Sequence, residues 1–101
     1  MIDKLVEARQ KAEEIKKRLD SISVMGEAEG GLIRVTATAN KEVTNIAIDQ
    51  VFLANAQKEE LEELLVVAVN NAFKLADNIS QTEMQAATKD LLGGMGSLFG
   101  Q

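Results

Sequence analysis

Apolar residues in the first part of the chain recur at every third or fourth position, which is the spacing of one helix face. The pattern predicts a helix over residues 3–22 whose apolar positions form a narrow seam. The seam consists of Leu5, Ala8, Ala12, Ile15, Leu19 and Ile22. Its two borders are basic and carry Lys4, Lys11 and Arg18 on one side and Arg9 and Lys16 on the other.

The middle of the chain, residues 24–48, predicts a three-stranded antiparallel meander. Residues just before Gly26 supply its first strand, and residues 43–48 supply its third. In the second strand, residues 32–39, apolar and polar positions alternate, so that one face carries Ile33, Val35, Ala37 and Ala39. Asn40 and Lys41 are predicted to form a two-residue hairpin turn, because Asn tolerates the positive φ that such a turn needs.

The meander is followed by a predicted connector, residues 49–57, in which Val51, Phe52 and Leu53 pack against the core. A second helix is predicted to begin after Asn55 as its N-cap and to continue beyond Ile79, since no Gly or Pro interrupts residues 55–92. Its apolar seam consists of Leu61, Leu65, Ala68, Ala72, Leu75 and Ile79.

Residues 64–69 of the second helix are apolar on every side, and such a segment is buried on more than one side. A three-stranded sheet covers only one side, so we predict a homodimer in which a second chain covers the other. The predicted interface consists of Leu64, Leu65, Val66, Val67, Ala68 and Val69. The alternative is a monomer whose first helix covers the second side.

These elements define an α+β fold with the order α-β-β-β-α, in which two long helices flank the meander. At 101 residues the chain forms one domain, which we assign to residues 1–92. Residues 93–101 are rich in Gly and are predicted to form a flexible tail.

The net charge of −5 argues against a strongly basic nucleic-acid-binding protein, but the charge is unevenly distributed. Residues 1–20 carry six Lys or Arg and five Asp or Glu, whereas residues 53–101 carry three and seven. The chain has no Cys, and no apolar run is long enough to cross a membrane, so we expect a cytoplasmic protein without membrane contact.

The chain contains no His, Cys or Tyr, which removes the usual general bases, thiol nucleophiles and transition-metal ligands. Gly26 and Gly31 have the spacing of a phosphate-binding loop, but Leu32 and Ile33 occupy the positions where that motif requires Lys and Ser or Thr. We therefore expect no enzymatic activity, no cofactor, no metal and no small-molecule substrate.

The basic borders of the first helix disfavour its pairing with a second copy of itself, because like charges would face each other. The seam then meets an acidic helix, or the basic borders face phosphates. A third interpretation is that these are solvated Lys and Arg side chains neutralised by acids on the same helix.

Three segments, residues 24–37, 42–49 and 58–72, resemble the signature of the YbaB/EbfC family of bacterial nucleoid-associated proteins. They occur in the same order and with similar spacing over nearly the whole chain. The resemblance implies a homodimer whose helices project as tweezer-like arms. It also implies binding to double-stranded DNA with low sequence specificity, a change in DNA conformation, and effects on nucleoid organisation and gene expression.

The resemblance does not mark individual DNA contacts, so we assign them by charge. The predicted set is Lys4, Arg9, Lys11, Lys16, Lys17, Arg18, Arg34 and Lys41. The seam of the first helix from Leu5 to Ile22 is about 26 Å long, so the helix could follow about seven or eight base pairs of backbone, with contacts to phosphate and to DNA shape. A second hypothesis, favoured by the acidic second helix, is a dimeric protein-interaction module linked to replication or recombination, with weak or no DNA binding.

Overall fold

The computed structural model describes the backbone of residues 2–96 and the side chains of residues 4–89. Helix α1 (Ile2–Asp20) is followed by strand β1 (Ser23–Ala28), a 3-10 turn (Glu29–Gly31) and strands β2 (Ile33–Thr38) and β3 (Val43–Ile48). A short helix, α2 (Gln50–Asn55), precedes the long helix α3 (Lys58–Gly96). The predicted α-β-β-β-α order is confirmed, with α2 as an addition.

The three strands form an antiparallel sheet in the order β1-β2-β3, with Val35 of β2 opposite Gly26 of β1 and Ile46 of β3. The alternation predicted for the second strand is confirmed. Its apolar face is buried at Ile33, Val35, Ala37 and Ala39, and Arg34 on the other face is exposed. This apolar face forms the core because α3 lies across it.

Small residues allow α3 to lie close to the sheet. Ala68, Ala72 and Ala76 are fully buried, and a Cβ atom at Gly26 would overlap backbone atoms of Ala68 and Ala72. The seam predicted for the second helix is wrong at Leu75, which is exposed. The side chains of Ala68, Ala72 and Ala76 share one face because they are four residues apart, and this spacing puts Ala76 rather than Leu75 against the sheet.

The predicted two-residue hairpin turn is wrong. Residues 39–42 form the connection, and Lys41, not Asn40, has a positive φ, of 66°. The Lys41 amide donates to the Thr38 carbonyl oxygen at 2.9 Å, and the Thr38 amide donates to the Glu42 carbonyl oxygen at 2.8 Å. An irregularity at Thr36 and Ala37 shifts the pairing register of β2 and β3, as a β-bulge does. With this shift, the connection between the two strands is longer than the predicted two residues.

The connector after β3 is helical, because the Asp49 side chain accepts a hydrogen bond from the Phe52 amide at 3.0 Å and caps α2. Of the three residues predicted to pack here, only Phe52 contacts the core, whereas Val51 and Leu53 are exposed. The predicted N-cap at Asn55 is also wrong. Asn55 closes α2 by donating from Nδ2 to the Val51 carbonyl oxygen at 2.8 Å, and α3 begins at Lys58.

Among the described side chains of α1, residues 4–20, those of the last turns pack on the rest of the molecule. Leu19 is buried and Ile15 is half-buried, but Ala8 and Ala12 are exposed and Leu5 is 68% exposed. Because α1 and α3 extend beyond the sheet, the molecule is elongated, with dimensions of 65 × 25 × 18 Å and a radius of gyration of 19.3 Å. A compact chain of this length has a radius of gyration of about 13 Å, so the helices project from the sheet as arms.

The long helix continues through Gly96, which includes the first residues of the predicted Gly-rich tail. The other residues of that tail, 97–101, lie outside the described part of the chain, and so does the prediction about their flexibility.

Candidate nucleic-acid interface

The cations of α1 lie on the projecting helix. Lys4, Arg9, Lys16 and Lys17 are exposed, and Lys11 is half-buried. Among the described side chains, none of these five has a carboxylate oxygen within 4.0 Å. They extend over about 20 Å of helix, at 1.5 Å per residue, and present positive charge to solvent without a direct carboxylate partner. The same helix also carries Glu7, Glu13 and Glu14, which are exposed.

The sixth cation of α1 is paired with the neighbouring helix. Arg18 Nη1 donates to Glu83 Oε2 of α3 at 2.8 Å. Beside this pair, Ile15 and Leu19 line a small groove with Ser80 and Met84 of α3. The C-terminal part of the α1 seam therefore meets a helix that supplies a carboxylate. This agrees with the interpretation that the seam packs against an acidic helix.

Of the two predicted sites on the sheet, Lys41 is near α1 and Arg34 is not. Lys41 Nζ lies 2.6 Å from Asp77 Oδ1 of α3. The preceding residue, Asn40, donates from Nδ2 to the Lys16 carbonyl oxygen at 2.9 Å, which ties this loop to α1. Arg34 is paired across the strands with Glu27, at 3.6 Å, toward the opposite end of the sheet.

Sequence reasoning missed Glu83, Asp77 and Asn40 as residues of this region. Glu83 lies 65 positions from Arg18, and Asn40 lies 24 positions from Lys16. Helical spacing identifies neighbours three or four positions apart. No local pattern could therefore have indicated these contacts.

The acidic residues of α3 concentrate away from α1. They occupy the start of the helix, at Glu59, Glu60, Glu62 and Glu63, beside the end of the sheet that carries α2. Glu60 is about 35 Å along the helix axis from Glu83, the residue that contacts α1. The net negative charge is therefore concentrated at the start of α3, at one end of the molecule, and the cations of α1 lie on the arm at the other end.

The residues predicted for a dimer interface lie in three environments. Val66 and Val67 are exposed, Val66 by 59%. Leu65 and Val69 are half-buried, pack partly against the core, and line an apolar groove of about 310 Å³ together with Val66, Ile46 of β3 and Asn70. Leu64 is half-buried against the core, and Ala68 is fully buried against the sheet of its own chain.

Helix α1 does not cover this groove. It contacts α3 near Ser80 and Glu83, about 20 Å along the helix from Val66. The described residues of a single chain therefore leave the apolar face formed by α3 and the edge strand β3 exposed.

Within the described part of the chain, no three His, Cys, Asp or Glu residues form a group that could hold a metal ion. None of the helices described over residues 2–96 combines the length and apolarity that crossing a membrane requires.

Comparison with known proteins agrees with the resemblance found in the sequence. A nucleoid-associated protein of Flavobacterium johnsoniae is 38% identical, over 98% of this chain and 94% of its own length. One of Bordetella avium is 40% identical, over 84% of this chain and 81% of its own. The crystal structure of an uncharacterised Helicobacter pylori protein has the same fold, with a TM-score of 0.64 at 18% identity over 77% of this chain and 90% of that one. The sequence profile of the YbaB/EbfC DNA-binding family matches residues 1–91, and the chain belongs to that family.

Proposed function

We propose that this protein is a nucleoid-associated protein that binds double-stranded DNA as a homodimer with low sequence specificity, using the cations of α1. The observation that carries the proposal is the row of cations without carboxylate partners on a helix that projects from the core. Family membership supports DNA binding, and the names of the relatives support association with the nucleoid.

The chemistry of the arm favours contacts to the DNA backbone. Lys and Arg side chains bind phosphate oxygens on any sequence and displace condensed counterions. The chain has three Phe and no Trp or Tyr with which to stack on bases. About 20 Å of α1 matches about six base pairs of duplex, so one arm follows a short stretch of backbone.

The other three residues of the predicted DNA-binding set, Arg18, Lys41 and Arg34, have different roles in this proposal. Arg18 and Lys41 lie at the base of the arm and reach phosphate by exchanging a carboxylate partner for it. Arg34 lies toward the other end of the sheet and contributes least, because DNA held along α1 passes far from it.

A second copy of the chain is the proposed occupant of the groove between α3 and β3. The groove exposes Ile46 and Val66 to solvent, which is costly in a single chain. Two chains joined there carry two α1 arms. Arms that hold separate stretches of one duplex change its path, and this is the proposed route to nucleoid organisation and altered gene expression.

The test is a fluorescence anisotropy titration of a labelled duplex at low salt. Lys16→Glu is expected to weaken binding by about tenfold or more, because it removes one charged contact to phosphate and adds a repulsion in each chain. Reversal of Lys11, Lys16 and Arg18 together is expected to abolish binding. The matched control is Lys58→Glu at the far end of α3, which should leave the affinity within about twofold.

Equal losses for Lys16→Glu and Lys58→Glu would show that net charge, not the α1 arm, governs binding. The alternative function, a dimeric protein-interaction module, would be selected by a stoichiometric protein partner on purification together with no shift of DNA at low salt.

A further inference from the structure

Two carboxylates of α3, Glu83 and Asp77, hold cations at the base of the α1 arm. We propose that these carboxylates compete with DNA phosphate for Arg18 and Lys41 and so limit the affinity of the protein for DNA. The inference rests on the proposed function and adds to it the residues that set the strength of binding.

The first competitor, Glu83, is more buried than the cation that it holds. Glu83 has a side chain that is 23% exposed, whereas the Arg18 side chain is 58% exposed. Their hydrogen bond of 2.8 Å uses one guanidinium nitrogen, Nη1. While Glu83 holds Nη1, that nitrogen is not available to a phosphate, and a phosphate that displaces Glu83 still meets the negative charge of this carboxylate.

The second competitor acts on the loop between β2 and β3. Lys41 Nζ lies 2.6 Å from Asp77 Oδ1, and each of these side chains is 48% exposed. The loop is held against α1 by the bond from Asn40 to the Lys16 carbonyl oxygen. Asp77 and Glu83 are six residues apart on α3, or about 9 Å along its axis, so both act at the same corner of the molecule.

The size of the effect follows from the exposure of these pairs. An exposed ion pair contributes little free energy, so freeing the cation from its carboxylate changes the DNA-binding constant by about threefold. We expect Glu83→Gln and Asp77→Asn each to tighten DNA binding by about threefold, and the double variant by about tenfold, with gains that shrink as salt is raised. Both substitutions keep the size of the side chain and a hydrogen-bond acceptor.

The experiment is an anisotropy titration of a 20-base-pair duplex with the full chain and these variants. The matched control is Glu60→Gln, which changes the net charge by the same amount about 35 Å along α3 from Glu83. The expected result is a gain for Glu83→Gln and Asp77→Asn and none for Glu60→Gln. An equal gain for Glu60→Gln, or no gain for the other two, overturns the inference.

A double-mutant cycle separates competition from a general structural effect. In an Arg18→Gln background, Glu83→Gln should no longer tighten binding, because the cation that Glu83 holds is gone. A second cycle combines Lys41→Gln with Asp77→Asn. It provides the same test if the variants of Arg18 and Glu83 do not fold. A full gain that persists without the cation overturns the inference.

The wild-type titration tests the proposed function separately. If the wild type binds the duplex and the two α3 variants bind no more tightly, only the competition is wrong. If no variant binds DNA at low salt, the proposed function and this inference are both wrong.

Discussion

At the scale of single residues, Gly26 sets how closely α3 approaches the sheet. A side chain there would overlap the Ala68 carbonyl oxygen and the Ala72 amide nitrogen. Both of those atoms belong to the helix backbone and cannot rotate away. The strand position opposite Val35 therefore has to be Gly for α3 to lie where it does.

Gly26→Ala is predicted to lower the free energy of unfolding by about 3 kcal/mol, because the helix must move off the sheet. Gly30→Ala is the control, since its Cβ would meet open space and only its φ of 62° is unfavourable, at about 1 kcal/mol. Urea unfolding at one fixed protein concentration measures both. Equal losses of unfolding free energy for Gly26→Ala and Gly30→Ala would contradict the close approach of α3 to the sheet.

Glu29 has a φ of 51°, a left-handed conformation that Gly adopts readily and Asn and Asp tolerate, but that is unfavourable for Glu. Glu29→Gly is therefore predicted to raise the free energy of unfolding by about 0.5 kcal/mol, after allowance for the greater freedom of Gly in the unfolded chain. Glu27→Gly in β1 makes the same charge change in a strand and is predicted to cost about 1 kcal/mol. The free energy of unfolding is expected to rise for Glu29→Gly and to fall for Glu27→Gly. A fall for both variants would contradict the strain assigned to Glu29.

At the scale of elements, α1 depends on Leu19. Among residues 4–20, Leu19 is the buried side chain of the helix, whereas Leu5 on the same seam is exposed. Leu19→Ala is predicted to weaken the packing of α1 on α3 by about 2 kcal/mol. Amide hydrogens of residues 15–20 should then exchange roughly thirtyfold faster, while Leu5→Ala leaves their exchange unchanged. Equal effects of the two variants would mean that the arm packs along its whole length.

The alternation of Ile33, Val35 and Ala37 made the buried face of the sheet predictable, because alternate residues of a strand point to the same face. The two long helices were also predictable, since the spacing of their apolar residues and the absence of Gly and Pro are local features. These signals indicate the three strands and the long helices in their order, but they did not indicate α2.

The element boundaries and the contacts of the site were not predictable from local patterns. The turn after β2 depends on a shift in strand register, and the choice between Leu75 and Ala76 depends on where α3 crosses Gly26. The pairs made by Arg18 and Lys41 depend on packing between segments far apart in sequence. Tertiary packing decides such features, so the exposed cations of α1 could be predicted but the partners of Arg18 and Lys41 could not.

At the scale of the whole molecule, the groove formed by Ile46, Leu65, Val66 and Val69 is predicted to hold a second chain. Val66→Asp places a charge in that groove and should give a single-chain mass by light scattering at micromolar concentration, where the wild type gives the mass of two chains. Val51→Asp is the matched control, because Val51 is 72% exposed and lies outside the groove, and it should stay dimeric. A wild type with a single-chain mass would contradict the dimer.

The central claim is that positive charge on the α1 arms binds the DNA backbone whatever its sequence. Its most direct test is the affinity for two duplexes of unrelated sequence between 50 and 200 mM salt. Six or more phosphate contacts per dimer predict a loss of about a thousandfold over that range, with the two duplexes equal within about threefold. Affinity that does not change with salt, or binding to only one of the two duplexes, would contradict the claim.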